Sequence, residues 1–450
     1  MQVIIFRNRF YAFIAIIFIL VIAFLSLSNY TKPRSQYSNV IKLSKDTAMK
    51  GSIMKKSRGE MEGNLKSNDD NHADSGNSNK LVAANRTIHN PAVSYDVHIF
   101  YYAWYGNPEN DAKYIHWNHQ YLKHWESAVA ERYKKYSGRH APPDDIGANF
   151  YPFLGPYSSW NKTIIQDHMK QIQLAGAGVV VLSWYPPGKS DPEGKPSDSA
   201  VLPLLLAADE HNLKITFHIE PYKDRTPDSV RNDIKYIIDT YGHYPSFYKR
   251  KWKGQQLPLI YVYDSYHIKP KAWKEVLTRE GTNTIRGTKY DAIVIALLVD
   301  EHHKSFITTG GFDGFYTYFA ADGFTYGSRK ENWKNLKQFS LESSSIFIPS
   351  VGPGYIDTRV RPWNSQNTRN RLNGDYYDKG MNHALEINPS IISITSFNEW
   401  HEGTQIEKAV HKEYLDFKYL DYSPQEPDFY LKLTRKWVHK FMRRKRVQSL

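Results

Sequence analysis

"IIQDHMKQIQLAGAGVVVLSWY", residues 164–185, carries the pattern that decides the fold. Residues 164–175 have the apolar spacing of a helix. Residues 177–185 form a near-continuous apolar, β-branched run, as expected for a strand buried on both faces. The alternation recurs along the chain. Strand candidates are "VHIFYYAWY" (97–105), "AGVVVLSWY" (177–185), "KITFHIEPY" (214–222) and "LPLIYVYD" (257–264). They continue with "DAIVIALLV" (291–299), "GFDGFYTYF" (311–319), "SSIFIPSVG" (344–352) and "SIISITSFN" (390–398). Helical segments such as 164–175 and 228–242 lie between them. Eight strands separated by helices predict an α/β fold, a (β/α)8 TIM-type barrel in a single catalytic domain. An open doubly wound sheet is the alternative, but no Gly-rich phosphate loop follows any of the strands.

In such a barrel the reactive groups gather at the C-terminal strand ends. Those ends read Tyr101-Tyr102-Ala103-Trp104-Tyr105, Trp184-Tyr185, His218-Ile219-Glu220-Pro221-Tyr222, Tyr263-Asp264, Tyr316-Thr317-Tyr318 and Asn398-Glu399-Trp400. Hydroxyl-bearing aromatics and carboxylates recur there. The connection 106–162 exceeds an ordinary loop, which marks it as functional or disordered; its aromatic content argues against disorder.

The last strand runs into "TSFNEWHEGTQIE", residues 395–407. Glu399 and Glu402 are three apart, so a helical turn would set them on one face with Cβ atoms about 5–6 Å apart. Cleavage of a glycosidic bond needs two carboxyl groups, one as acid and one as base or nucleophile. Close carboxylates resist joint ionisation, which splits their pKa values. A Glu-x-x-Glu pair on its own is also common on solvated helices, so its place at a strand end is what makes it a candidate. Glu407 reads as an ordinary surface charge. His218 and Glu220, two apart in a strand, point to the same side and suit either a structural ion pair or substrate binding. His116, His119, His302 and His303 match no metal-ligand spacing and read as structural or surface histidines.

Hydrophobic residues make up 41% and aromatics 14% of the chain, enough for a large core. The aromatic surplus suits a carbohydrate cleft and a barrel interior equally. The net charge of +13 sits on the flanks: residues 1–30 carry +2, 31–90 carry +5 and 443–450 carry +4. The body, 91–442, is left with +2, and no basic stripe appears, which argues against nucleic-acid binding. The absence of cysteine excludes disulfides and thiolate metal sites.

Residues 10–27 form an uncharged apolar run that, as a helix, nearly spans a bilayer core. Arg7 and Arg9 precede it, favouring a cytosolic N-terminus. Its length favours an uncleaved anchor at 10–30 behind a short tail, 1–9, over a cleaved signal peptide, although Ser26-Leu27-Ser28 resembles a cleavage site. Residues 31–90, rich in Lys, Ser, Asn and Gly, read as a disordered lumenal stem before the catalytic domain at 91–442, and 443–450 as a solvated basic tail. Asn29, Asn85 and Asn161 head glycosylation acceptor triplets, whereas Pro389 excludes Asn388.

The stretches "NEWHEGTQIEKA", "FYYAWYGNPEND", "PPDDIGANFYP", "TFHIEPY", "GFDGFYTYFA", "IPSVGPGYIDT" and "RPWNSQNTRNR" together closely resemble glycoside hydrolase family 99, the endo-α-1,2-mannosidases. The likeness covers about residues 97–440. It implies a barrel that cuts the internal α-1,2 bond of glucosylated high-mannose N-glycans, releases glucosyl-mannose, retains configuration and uses no metal or other cofactor. It also implies a route in which Glu399 deprotonates the mannose 2-hydroxyl. That oxygen attacks C1 to form a 1,2-anhydro sugar, while Glu402 protonates the leaving oxygen and then activates water. Tyr102, Trp184, His218, Glu220, Tyr222, Tyr316 and Asn398 are the candidates for lining sugar subsites. A monomeric, type II protein of the Golgi membrane is the implied setting. A divergent paralogue or glycan-binding lectin of the same fold is the alternative. A glycosyltransferase of the same layout would need an Asp-x-Asp motif, and none occurs.

Overall fold

Every one of the eight apolar runs contributes a stave to one parallel barrel. The computed structural model describes residues 92–448. The anchor, the stem and the triplets at Asn29 and Asn85 lie outside those residues. The strands are β1 (Ser94–Tyr101), β2 (Ala177–Trp184), β3 (Lys214–Ile219), β4 (Gln255–Val262), β5 (Ile293–Leu297), β6 (Gly314–Tyr316), β7 (Ile346–Ile348), β8 (Ser350–Val351) and β9 (Ile392–Ile394). They pair in parallel in the order β8-β9-β1-β2-β3-β4-β5-β6-β7. β7 pairs with β6, and β8 pairs with β9. Only Pro349 separates β7 from β8. Proline has no N–H to give to a ladder, so the seventh stave breaks there; its carbonyl still accepts from Ser393 N–H at 3.0 Å. The ring therefore closes through one interrupted strand.

A helix follows each stave: α1 (Lys162–Ala175), α2 (Val201–Glu210), α3 (Pro227–Tyr241), α4 (Pro270–Leu277), α5 (Ser305–Thr308), α6 (Trp333–Glu342), α7 (Asp375–Glu386) and α8 (Phe429–Gln448). In the opening stretch, Asn161 caps α1 by accepting from Thr163 N–H and Ile164 N–H. Gly176 ends it at φ 81°, a left-handed conformation that glycine adopts without strain. Ile165, Met169, Ile172 and Ala175 then face the barrel, and 177–184 is buried throughout. An unforeseen strand, Lys249–Trp252, pairs antiparallel with β4. No helix among the described residues is long and apolar enough to cross a membrane.

One expectation changes. The basic segment from 443 is not a separate tail as far as 448, because α8 runs through it to Gln448. Lys445 Nζ lies 2.5 Å from Asp96 Oδ2 and donates to Ser390 O at 2.8 Å, so the helix end is tied to the barrel. The long connection 106–162 is ordered, as its aromatic content indicated. It buries Trp117, Ile146, Phe150 and Tyr157, and Tyr151–Pro152 pairs with Ala409–Val410, just beyond the acidic stretch.

Candidate active site

Past β9 the chain folds back on itself at the barrel mouth. Three backbone bonds close the neck of this loop: Ser396 N–H to Thr404 O, Ile406 N–H to Ser396 O and Glu407 N–H to Phe397 O, each 3.0 Å. At its tip is a hydrogen-bonded turn, with Gly403 N–H donating to Trp400 O at 3.2 Å, in place of the expected helical turn. Gly403 has φ 59°, and a Cβ there would come within 2.7 Å of Ile356 Cγ2 and of Ile356 O. Only glycine fits. Ile356 N–H donates to Glu402 O at 2.8 Å and fixes the same turn from the other side. The turn thus brings Glu399 and Glu402 into one electrostatic pair.

Both carboxyl groups are held in their protonated form more firmly than usual. Glu399, 4% exposed, is raised well above its ordinary value by burial first and by the charge of Glu402 second, with Arg361 opposing. Glu402 is pushed up to about 7 by burial, again against Arg361, while Asp357 and Glu220 add to the rise. The pair therefore holds a proton near neutral pH, leaving one acid and one base. Glu399 Oε2 is buried and has no hydrogen-bond partner within the protein. Arg361 is held by Asp357, whose carboxylate lies 3.1 Å from Nη1 and also accepts from Tyr355 OH and Asn364 Nδ2, both at 2.9 Å.

Strand-end side chains form the floor. Tyr102 and Tyr318 share a hydroxyl–hydroxyl hydrogen bond. Burial holds both phenols far above their ordinary value, so they stay neutral donors. Glu220 accepts from Ser183 Oγ at 2.8 Å and lies 3.1 Å from His218 Nδ1. His218 Nε2 is 2.6 Å from Tyr316 OH. Along the wall, Trp104 stacks on His116 at 4.5 Å, and His119 lies 4.8 Å from His401. Burial lowers His119 to about 4 and takes His401 well below its ordinary value, so both are neutral at physiological pH. His116 Nε2 meets Asp191 at 2.8 Å, and His303 stacks on Tyr266. Among the described residues no group of three or more His, Cys, Asp or Glu is arranged to hold a metal.

A proton-sharing carboxyl pair at the C-terminal mouth of a barrel, ringed by aromatic and neutral donors, is the equipment of a glycosidase. Residues 92–443 match Glycosyl hydrolase family 99. The chain belongs to that family. It is 53% identical over 386 residues to the glycoprotein endo-alpha-1,2-mannosidase of Rattus norvegicus, covering 83% of each chain. It is 56% identical over 356 residues to the Xenopus laevis protein of the same name, covering 79% of each. The solved GH99 endo-alpha-mannosidase of Bacteroides thetaiotaomicron matches with a TM-score of 0.72 at 44% identity, over 78% of this chain and 99% of that one.

Within this family 99 barrel, the expected subsite residues divide. Tyr102, His218 and Glu220 stand with the carboxyl pair at the mouth. Trp184 does not. Strand side chains alternate, and because Ser183 points in to reach Glu220, Trp184 points out. It stacks on Tyr236 of α3 and donates to Asp198 at 2.9 Å, fully buried. Tyr222 is engaged by α3, its hydroxyl bonded to Asp233 and Ser229. Tyr316 is fully buried, its hydroxyl bonded to His218. Asn398 is also fully buried. Its Oδ1 accepts from Tyr102 N–H at 2.8 Å and its Nδ2 donates to Tyr102 O at 2.9 Å, clamping the glutamate loop to β1.

Glu407 overturns its reading as a surface charge. It is fully buried, because Tyr157, Trp400 and His168 converge on its carboxylate. The sequence reading passed over Arg361, Asp357 and Tyr355, and it placed Tyr263 and Tyr318 at strand ends without naming them as subsite candidates. Arg361, Asp357 and Tyr355 lie in an irregular segment, where no spacing rule points to them.

Proposed function

We propose that this chain is a glycosidase that hydrolyses the internal α-1,2-mannosidic bond of glucosylated high-mannose N-glycans and releases glucosyl-mannose. The observation that carries this reading is the placement of Glu399 and Glu402 on one glycine-dependent turn at the barrel mouth, where burial raises both carboxyl groups. Family membership and the activity in the names of its rat and frog relatives support it.

In the first step the ionised Glu399 takes the proton of the mannose 2-hydroxyl. That oxygen attacks C1, and the glycosidic oxygen leaves with the proton of Glu402. In the second step Glu402 removes a proton from water, water opens the 1,2-anhydro ring at C1, and Glu399 returns its proton to O2. Two displacements at C1 retain configuration. A carboxylate that resists ionisation is a stronger base once ionised, and an acid near 7 is half protonated at working pH. A 2-hydroxyl donating to Glu399 draws the negative charge there and leaves the proton on Glu402.

The apolar run at 10–30 supports a single-pass type II anchor holding the domain in the Golgi lumen, and the reading is of a monomer. The decisive experiment incubates residues 91–450 with a monoglucosylated high-mannose glycan. The expected product is a glucose–mannose disaccharide. Release of glucose alone, of single mannose, or of nothing sinks the endo-acting assignment.

A further inference from the structure

The acidic stretch contains a third glutamate that the chemistry does not use. The Glu407 side chain has no exposure to solvent, nor has that of His168 beside it. Its Oε2 accepts from Tyr157 OH at 2.8 Å and from Trp400 Nε1 at 3.0 Å. Its Oε1 lies 3.2 Å from His168 Nε2, and His168 Nδ1 lies 2.9 Å from Tyr101 OH. Tyr157 OH also accepts from Asn398 Nδ2 at 3.3 Å and Trp400 Nε1 at 3.2 Å.

These partners are not scattered. Trp400 lies between the two reacting glutamates, and Asn398 immediately precedes them. Tyr157 comes from the long first connection, His168 from α1 and Tyr101 from the end of β1. A single carboxylate thus ties the glutamate loop to three separate supports. Buried acceptors that gather several donors restrict the orientation of all of them. Two donors share Oε2, so an apolar side chain of the same length would leave Trp400 Nε1 and Tyr157 OH without their shared acceptor.

We propose that Glu407 is a positioning residue for the reacting pair: its carboxylate sets the indole of Trp400 directly and the amide of Asn398 through Tyr157, and so aims Glu399 and Glu402. A glutamine can serve in its place. Its oxygen would accept from Tyr157 and Trp400, and its amide N–H would donate to His168, whose ring would carry its proton on Nδ1 towards Tyr101 OH instead.

The inference rests on the mannosidase reading, and the test separates the two. Glu407→Gln, Glu407→Met and Tyr157→Phe are prepared, and kcat and KM are measured on the monoglucosylated glycan. The indole N–H resonance of Trp400, assigned with Trp400→Phe, is followed in parallel. Glu407→Met is expected to lose about 100-fold in kcat at little changed KM, the scale of a misplacement near 1 Å. Glu407→Gln is expected to recover most of that loss, and the indole resonance to move in the Met variant. A folded Met variant with wild-type kcat overturns the proposal, as does a Gln variant no better than Met, or a loss confined to KM. If the Met variant does not fold, Tyr157→Phe decides: a kcat drop of roughly tenfold supports the role, and an unchanged kcat overturns it. A wild-type protein inert on the glycan sinks the mannosidase reading alone; an unmoved Trp400 resonance in the folded Met variant sinks this one.

Discussion

Ser183 on β2 donates to Glu220, the residue just past β3, at 2.8 Å inside the barrel. That bond fixes the inward face of both strands. It sets Glu220 beside the Glu399–Glu402 carboxyl pair and sends the residue after Ser183, Trp184, out towards α3.

Trp184 is therefore expected to matter for stability alone. Trp184→Phe removes the hydrogen bond to Asp198 but leaves Asp198 its bonds from Tyr236 and Tyr241. Unfolding in denaturant should show a loss of about 2 kcal/mol, from lost ring area and one hydrogen bond. Steady-state kinetics should show unchanged kcat and KM.

Glu402→Gln is expected to lower kcat about 1,000-fold, the usual yield of a positioned proton donor. The amide keeps the size of the carboxyl group, so calorimetry should record glycan binding within a few-fold of wild type. A variant that still turns over at more than a tenth of the wild-type rate would remove Glu402 from the chemistry.

The pH dependence of stability follows from the same group. Glu402 keeps its proton to about 7 in the folded protein, against an ordinary 4.5. Below 4.5 both states are protonated and the stabilising contribution is fully present; between 4.5 and about 7 the unfolded chain ionises first and the contribution is lost. The loss amounts to roughly 3 kcal/mol at most. The Tm of Glu402→Gln relative to wild type is expected to rise across that window and level off above it. Activity is expected to fall as pH passes about 7, where the acid loses its proton.

Two substitutions are expected to move that activity limb in opposite directions. Glu220 raises Glu402 and Arg361 lowers it. Glu220→Gln should shift the basic limb of the kcat profile to lower pH, and Arg361→Gln should shift it to higher pH. Limbs that stay in place in both variants would detach Glu402 from the titration.

At the start of α1, Asn161→Ala removes the acceptor for Thr163 N–H and Ile164 N–H. Protein made without glycosylation should lose about 1 kcal/mol of stability in a denaturant titration, with kcat unaffected.

Much of this architecture is legible in the chain. The eight staves are visible because buried parallel strands need continuous apolar runs. The seventh differs, since the hydrogen-bond cost of Pro349 falls on its neighbours in the sheet. The side on which Trp184 falls was not legible: a shift of one residue reverses a strand's faces, and the composition of 177–185 suits either register. Glu407 could not be read at all, because the groups that bury it lie 250 residues away at Tyr157 and 239 away at His168.

The sequence by itself determined the barrel and the placing of Glu399 and Glu402 at its last strand end, because both follow from local periodicity and the direction of the chain. Only the tertiary structure decided which two of the three glutamates form an electrostatic pair and which one is buried among Tyr157, Trp400 and His168. Burial and the charges of Arg361, Asp357 and Glu220 act on the pair, hydrogen bonds hold Glu407, and folding alone brings these groups together.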